Sequence, residues 1–572
     1  MAKGFYLKLA FANIKRSKAI YLPYAIATAI ISGVYFLVNM LRYSPGISGV
    51  PSGEAAQAVF MFTSVFISLF TFIFMMYINN FLIKRRKKEF GLYGVLGLEK
   101  RHVGRVLLYE NFFVMAAGVL VGVALALIFG RLLFMVLANM IELAGENTFI
   151  VPTEAFSSVG ILFAVVFLAT SLMNLLSVRL ANPIELLRSD KSGEKRKSTA
   201  VVPLTVIGSV IMAAAYWIAA GTQMPAVALM TYFPAAILVI IGTYMLFTSG
   251  SIVFLRALRR NKKIYYKPDN FVSISGMLHR MRQNAAGLAT ICIVSTMLIV
   301  TVAITTSLYF GQEETLRVQN PYDISVAVDS EEQAGKLDEL VGEVAKKKGI
   351  YTLKDTSKIV PEDNQLSNLG MRKYNMAKPG QQPKELKHSL YMNEKVFFDL
   401  SGGDRDGYIA FRDALADEIA DAGLMIKDYA VDSYHLAAKQ AYGLFGGLIF
   451  MGVFLGVVFL AVTVLIIYFK QISEGYEDRE RFVILKKVGM DDSLVRRTIS
   501  AQVKWVFFLP LLAALVHTVF STIMTVTMLK SFGMMNPSIT ISCAAITFAI
   551  FAVVYIIVYR LTARTYYGIV NK

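Results

Sequence analysis

The chain has 572 residues, 56% of them hydrophobic, and a mean hydropathy of +0.54. Those values exclude an ordinary soluble domain. The net charge of +18 does not point to nucleic acid, because the cations are divided among short segments beside apolar runs.

The chain opens on an amphipathic stretch with Phe5, Leu9 and Ala12 on one side. Ten runs of about 20 apolar residues follow, each long enough to cross a hydrocarbon core as a helix. They lie near Ala19–Leu41, Gln57–Ile83, Phe113–Leu137, Ala155–Val178, Val201–Ala220, Met230–Ile252, Ala285–Tyr309, Gly443–Tyr468, Trp505–Met528 and Ile539–Tyr559. The first is too long for a cleaved signal sequence and lacks a cleavage site. No charged residue occurs between Lys197 and Arg256, so spans five and six are predicted as a hairpin turning at Gly221–Pro225. Pro23, Pro234 and Pro510 fall within spans and are predicted to kink them. Cys292 and Cys543 also lie in spans and read as packing residues, not as a disulfide or metal framework.

Lys and Arg concentrate in 1–18, 84–106, 179–198, 256–282, 470–504 and 560–572, while the short loops 43–56, 139–154 and 221–225 have none. This bias predicts cytoplasmic N- and C-termini in a bacterial plasma membrane, with anionic lipid at the inner face. Residues 311–436 form the one large polar insert, on the outer side, and there acids outnumber bases. "YDISVAVD" (Tyr322–Asp329) alternates like a strand. Ser330 and Gln333 are spaced as a capping box for a following helix. "GYIAFRDALADEIADAG" (Gly407–Gly423) reads as a second amphipathic helix and "LMIKDYAV" as a returning strand.

A short element occurs twice. "RRKKEFGLYGVLGLEKR" (Arg85–Arg101) and "EDRERFVILKKVGMDDS" (Glu477–Ser493) align Phe90 with Phe482, Gly97 with Gly489 and Glu99 with Asp491. Around each, the order amphipathic helix, span, outer segment, span, element, two spans repeats. The second amphipathic helix lies in "NFVSISGMLHRMRQN", where Phe271, Ile274, Met277, Leu278 and Met281 recur at helical spacing. The predicted fold is an all-α polytopic protein of ten transmembrane helices. Two parallel four-helix units, spans 1–4 and 7–10, are separated by a two-helix hairpin, with a small α+β extracellular domain between spans seven and eight. The boundaries are 1–190 for the first unit, 191–255 for the hairpin and 256–310 for the second amphipathic helix and span seven. Residues 311–436 form the outer domain and 437–572 hold spans eight to ten.

A pair of like elements suits a two-fold symmetric cytoplasmic partner; the plainer alternative is a pair of amphipathic segments resting on lipid. The predicted contacts are Glu89, Phe90, Gly97, Leu98 and Glu99 in the first element, and Arg481, Phe482, Gly489, Met490 and Asp491 in the second. The sequence has no G-x-x-x-x-G-K-[ST] phosphate loop, nucleophile–base pair or metal-ligand spacing, so this chain reads as non-catalytic. Arg42, Arg131, Lys439 and Lys530 fall at outer span ends, where they either meet an anionic lipid headgroup or snorkel to the interface. His517, in mid-span, either senses protons or is a hydrogen-bonded packing residue.

"KRRKKEFGLYGVLGL" and "NPIELL" resemble the FtsX-like permease superfamily. "YFKQISEGYEDRERFVILKKVGM", the ten spans and the insert after span seven are similar to Bce-type permeases. The resemblance implies one permease with two copies of a cytoplasmic ATPase, which hold the ATP and Mg. It further implies resistance to bacitracin- or lantibiotic-type peptides, by removing them from undecaprenyl-pyrophosphate-type lipid carriers, and signalling to a membrane histidine kinase. The outer insert here is shorter than is usual in that family. The alternative is a regulatory FtsX-like module, or a lipoprotein- or lipid-handling permease, that passes ATPase cycling to an outer partner. Such chains carry one four-span unit, whereas this one carries two.

Overall fold

The computed structural model describes residues 4–45, 53–95, 97–140, 149–180, 201–266, 268–320, 323–328, 331–349, 351–355, 394–401, 403–422, 431–487 and 492–570. Ten helices among them are long and apolar enough to cross a membrane. Helices are the form such runs must take, since lipid offers the backbone no hydrogen-bonding partner. Spans one to five are Lys18–Arg42, Gly53–Val95, Lys100–Met140, Thr153–Leu180 and Val201–Gly221. Span six, Pro225–Met245, continues through a π-helical turn at Leu246–Gly250 into Ser251–Arg260. Spans seven to ten are Pro268–Gln319, Tyr434–Lys487, Asp492–Leu529 and Pro537–Val570. The helix Phe5–Arg16 precedes span one, and the hairpin of spans five and six turns where the sequence predicts.

Two expectations change. Residues 268–284 do not form a separate interfacial helix but run unbroken into span seven, with Ile274, Met277 and Met281 buried against the bundle and Phe271 exposed. The first amphipathic helix is separate because Ser17 leaves helical geometry (φ −103, ψ 37) and its amide closes back on the Asn13 carbonyl. That helix also turns a different side inward: Phe5 and Phe11 are exposed, and Ala10, Asn13 and Ile14 face the protein.

Span one packs against spans two, three and four, and span seven packs against spans eight, nine and ten. Span eight joins the two groups by packing on spans one and two. There Phe459 meets Phe70 edge to face at a centroid distance of 4.9 Å. The buried side chains of both groups form one continuous cluster. Small residues permit the closest approaches, as expected where lipid removes the hydrophobic drive between helices. A Cβ on Gly122 of span three would collide with the Ala29 carbonyl and Ser32 Oγ of span one. One turn earlier, Gly118 faces Thr28 and the Ala25 carbonyl. The same device recurs on span eight, where Gly452 and Gly456 sit against Thr305 and Val302 of span seven.

The hairpin of spans five and six packs on spans seven and nine. His517 of span nine fixes it. Thr243 donates to the Val239 carbonyl at 2.6 Å, so its oxygen accepts from His517 Nε2 at 3.1 Å, and Nδ1 shares a hydrogen bond with the Tyr216 hydroxyl at 2.6 Å. Both ring nitrogens are therefore hydrogen-bonded. His517 packs three spans together.

Between spans seven and eight, four antiparallel strands form one sheet in the order β2-β3-β1-β4: Ile324–Val328 (β1), Tyr351–Asp355 (β2), Glu394–Ser401 (β3) and Val431–Ser433 (β4). Helices Glu331–Lys348 and Arg405–Asp421 bury Leu337, Val341, Phe411 and Leu415 with Ile324 and Val326 of β1. The predicted strand at Tyr322–Asp329 and both predicted helices fall here. Ser330 lies outside the described residues, as does most of "LMIKDYAV"; the described return strand starts at Val431.

Candidate functional site

The first repeated element is a helix end, a tight turn and a helix start. Span two stays helical through the basic stretch to Val95. Gly97 then adopts φ +85. The Gly97 amide bonds the Gly94 carbonyl at 3.2 Å and the Leu98 amide bonds the Tyr93 carbonyl at 2.9 Å, the paired bonds of a Schellman stop. Leu98 packs with Tyr93 beside Phe90, Ile83, Val103, Leu107 and Val178. The Glu99 carbonyl accepts the first amides of span three, from His102 and Val103, and its carboxylate pairs with Arg101.

Of the predicted contacts, Phe90 and Leu98 thus face inward and anchor the element, Gly97 makes the turn, and Glu99 is exposed. Glu89 is half-buried and held by Arg86 Nε at 2.7 Å. The exposed apolar side chains are others: Leu92 is 53% and Val95 67% exposed. The sequence signal for them is helical spacing, since both lie away from Phe90. At the second element the helix of span eight is described as far as Lys487 and that of span nine from Asp492. Val483 and Ile484 are exposed there. The side chains of Arg481 and Phe482, and residues Gly489, Met490 and Asp491, lie outside what the structure describes.

Beneath the first element lies a buried polar cluster that the sequence reading missed. Arg86 is 2% and Glu110 1% exposed. Arg86 Nη1 donates to Glu110 and to the Tyr21 oxygen, and its Nη2 reaches Glu110 Oε1 at 3.2 Å. Glu110 also accepts from Asn13 Nδ2 at 2.7 Å and from the Tyr21 hydroxyl at 2.8 Å. The Tyr93 hydroxyl extends the cluster by donating to Asn13 Oδ1 at 3.2 Å. The guanidinium also lies over the Tyr21 and Phe90 rings. Guanidinium is always charged and suits such a planar fork. One charge pair therefore ties the first amphipathic helix and spans one, two and three. Just beyond it, Asn111 bonds Thr170 and Ser171, and Asn79 bonds Asn174, which adds span four.

The four span-end cations have separate surroundings. Arg42 lies over the Tyr43 ring at 4.7 Å. Lys439 pairs with Asp406 of the α+β domain at 3.0 Å. Arg131 is exposed on span three, and Lys530 begins the 3-10 turn after span nine. Nearby, Asp323 joins the α+β domain to the membrane helices. It accepts from Arg317 Nη1 at 3.2 Å and from the Leu400 amide at 3.0 Å, it lies 3.3 Å from His435 Nε2, and its carbonyl accepts the Tyr434 amide. Burial alone would raise its pKa, but His435, the Leu400 amide and Arg317 outweigh that and hold it below the usual carboxylate value. A depressed carboxylate contributes stability that is present above its unfolded pKa and lost as pH falls through the folded one. The protection factors of the β1 and β3 amides, taken against the intrinsic exchange rate at each pH, should therefore fall as pH drops below about 4. Asp323→Asn should show roughly tenfold faster exchange at pH 7 and no acid-dependent step; unchanged exchange would remove Asp323 as the joint.

Comparison with known proteins places this geometry. Residues 61–183, spans two to four, match the FtsX-like permease C-terminal family. Over 90% of this chain and 92% of the relative, the sequence is 23% identical to the bacitracin export permease protein BceB of Bacillus subtilis (strain 168). Over the same shares it is 26% identical to BceB of Halalkalibacterium halodurans. A match at 26% identity to an uncharacterized ABC transporter permease, YvcS of Bacillus subtilis, takes in 55% of this chain and 49% of that protein, so the chain spans about half the length of that relative. With ten helices long and apolar enough to cross a membrane among the described residues, a segment that matches the FtsX-like permease family and likeness to bacitracin export permeases over nine tenths of its length, the chain is similar to multi-pass membrane permeases of the FtsX/BceB type.

Proposed function

We propose that this permease is driven by two copies of a cytoplasmic ABC ATPase, one on each repeated element, and protects cells against bacitracin- or lantibiotic-type peptides by removing them from lipid-carrier targets. One observation carries the two-site reading. A single shift of 392 residues aligns Phe90 with Phe482, Gly97 with Gly489 and Glu99 with Asp491, the first set between the helices of spans two and three and the second between those of spans eight and nine. The packing of span one on spans two to four, and of span seven on spans eight to ten, supports two parallel four-span units. The concentration of Lys and Arg around both elements supports their cytoplasmic placement and an extracellular 311–436 domain. ATP and Mg belong to the partner subunits. The peptide chemistry follows from likeness to bacitracin export permeases, and a membrane histidine kinase is the further partner that this reading adds. Arg42, Arg131, Lys439 and Lys530 supply cations for the pyrophosphate of the carrier, with Lys439 released from Asp406.

The permease purified with its ATPase should have a mass of one permease to two ATPase subunits. Glu99→Lys, which inverts an exposed charge without touching the Phe90–Leu98 core, should weaken docking about tenfold while the permease stays inserted. A two-to-two complex would end the two-unit reading. Normal ATPase yield from Glu99→Lys would return the elements to the role of lipid-bound segments.

A further inference from the structure

Span nine carries a cationic pocket that opens into an apolar groove. Arg497, Ser500, Ala501, Lys504 and Trp505 line a pocket of about 390 Å³. Lys504 and Trp505 also begin a groove of about 430 Å³, which runs past Phe508, Leu512 and Leu515 and is lined from span ten by Phe548. Arg497 and Lys504 are exposed, and neither forms a hydrogen bond or ion pair with a described residue. Trp505, Phe508 and Leu512 are exposed as well. Under the shift of 392, the first half has Leu108 in place of Ser500, Phe112 in place of Lys504 and Ala116 in place of Phe508. The hydroxyl, the second cation and the aromatic wall are therefore features of the second half and not of the repeat.

We infer that this track holds one anionic phospholipid of the cytoplasmic leaflet, its phosphate on Arg497, Ser500 and Lys504 and an acyl chain in the groove from Trp505 to Leu515. The inference rests on the cytoplasmic placement of the basic helix ends. Charge, position and length choose the occupant. Two cations without a protein partner stand at the mouth of the groove, and basic pockets between helices on this side of a membrane suit anionic headgroups. A zwitterionic headgroup brings no net charge to them. Trp505 opens the apolar run of span nine, at the depth where indole favours the membrane–water interface. From Lys504 to Leu515 the helix rises roughly 16 Å at ~1.5 Å per residue, about half of a hydrocarbon core of ~30 Å. The groove therefore has the length of one leaflet. An apolar helix of a partner protein would fill the groove and leave both cations unanswered.

Trp505 is a built-in reporter. The sequence has two tryptophans, so Trp217→Phe leaves Trp505 as the single one. The full chain with this change is placed in phosphatidylcholine bilayers, and quenching of Trp505 is titrated with phosphatidylglycerol or phosphatidylcholine whose acyl chains are brominated. Brominated phosphatidylglycerol should quench at about tenfold lower mole fraction than brominated phosphatidylcholine. Arg497→Gln/Lys504→Gln should bring the two lipids together. Lys8→Gln/Lys15→Gln, which removes the same charge from exposed positions of the first amphipathic helix, should leave the preference unchanged. Equal quenching by both lipids before any cation is removed means annular lipid only and overturns the inference. A preference that survives Arg497→Gln/Lys504→Gln, or that is lost as fully in Lys8→Gln/Lys15→Gln, also overturns it. Placement is tested separately. Arg497→Cys in a Cys292→Ala/Cys543→Ala chain should resist an impermeant maleimide in intact cells and react after lysis. Labelling in intact cells overturns the cytoplasmic placement and this inference together.

Discussion

Glu110→Ala should destabilise the folded protein by about 3–5 kcal/mol, because it leaves Arg86 charged, buried and without its anion. The side chain it removes also accepts from Asn13 and Tyr21, so the same change releases the first amphipathic helix and the base of span one. Thermal unfolding in detergent, followed by the loss of monodisperse protein, measures the effect. The control is the charge-free pair Arg86→Met/Glu110→Met, which should remain within about 1 kcal/mol of the unaltered chain, since a packed apolar pair often replaces a buried ion pair without loss. If Glu110→Ala and the double variant unfold together, the cluster matters for its volume and not its charge.

Gly122→Leu should cost about 3 kcal/mol or more, at the upper end for overpacking. The obstruction is backbone: a Cβ at this position already meets the Ala29 carbonyl and Ser32 Oγ, and no rotamer change relieves it. Spans one and three would have to separate along the stretch from Gly118 to Gly122, and the Arg86–Glu110 pair at their base would be strained with them. Gly160→Leu on span four, where a Cβ would meet nothing within 4 Å, is the matched control and should be within about 0.5 kcal/mol of the unaltered chain. Equal yields of folded Gly122→Leu and Gly160→Leu would contradict the close-approach account.

The membrane-crossing part of the architecture was open to a reading of residues alone, because a run of about 20 apolar residues has few other fates. The turn at Gly97 was equally legible, since a glycine at a helix end next to a charged start is a local signal. Helix lengths were not. Apolarity marks only the stretch that crosses lipid, and spans two, seven and eight continue as helix through polar sequence. Arg86 was hidden for a different reason. It is one of five adjacent cations in "KRRKKEF", and nothing in a charge run says which member turns inward. The usable signal was its partner: Glu110 stands with Asn111 inside the helix of span three, and an acid at that depth needs a cation. Starting that span at Phe113 set Glu110 outside it. Strand β3 was missed because "EKVFFDLS" places Phe397 and Phe398 side by side and so breaks the alternation that reveals a half-buried strand.

Spans seven and eight are single helices of 52 and 54 residues, and the α+β domain stands on them at one end. At ~1.5 Å per residue each measures roughly 80 Å, more than twice the hydrocarbon thickness of ~30 Å. A beam of that length is a lever whose fulcrum is the packed centre of the bundle. A tilt of about 10° displaces one end relative to the other by roughly 14 Å, with no hydrogen bond broken along the way. Asp323 grips Arg317 at the end of one beam and the Tyr434 amide at the start of the other, so the two arms share a crosspiece. A rocking of about 10° at the basic end of these helices therefore arrives at the far end as a stroke of roughly 7 Å, more than one helical turn.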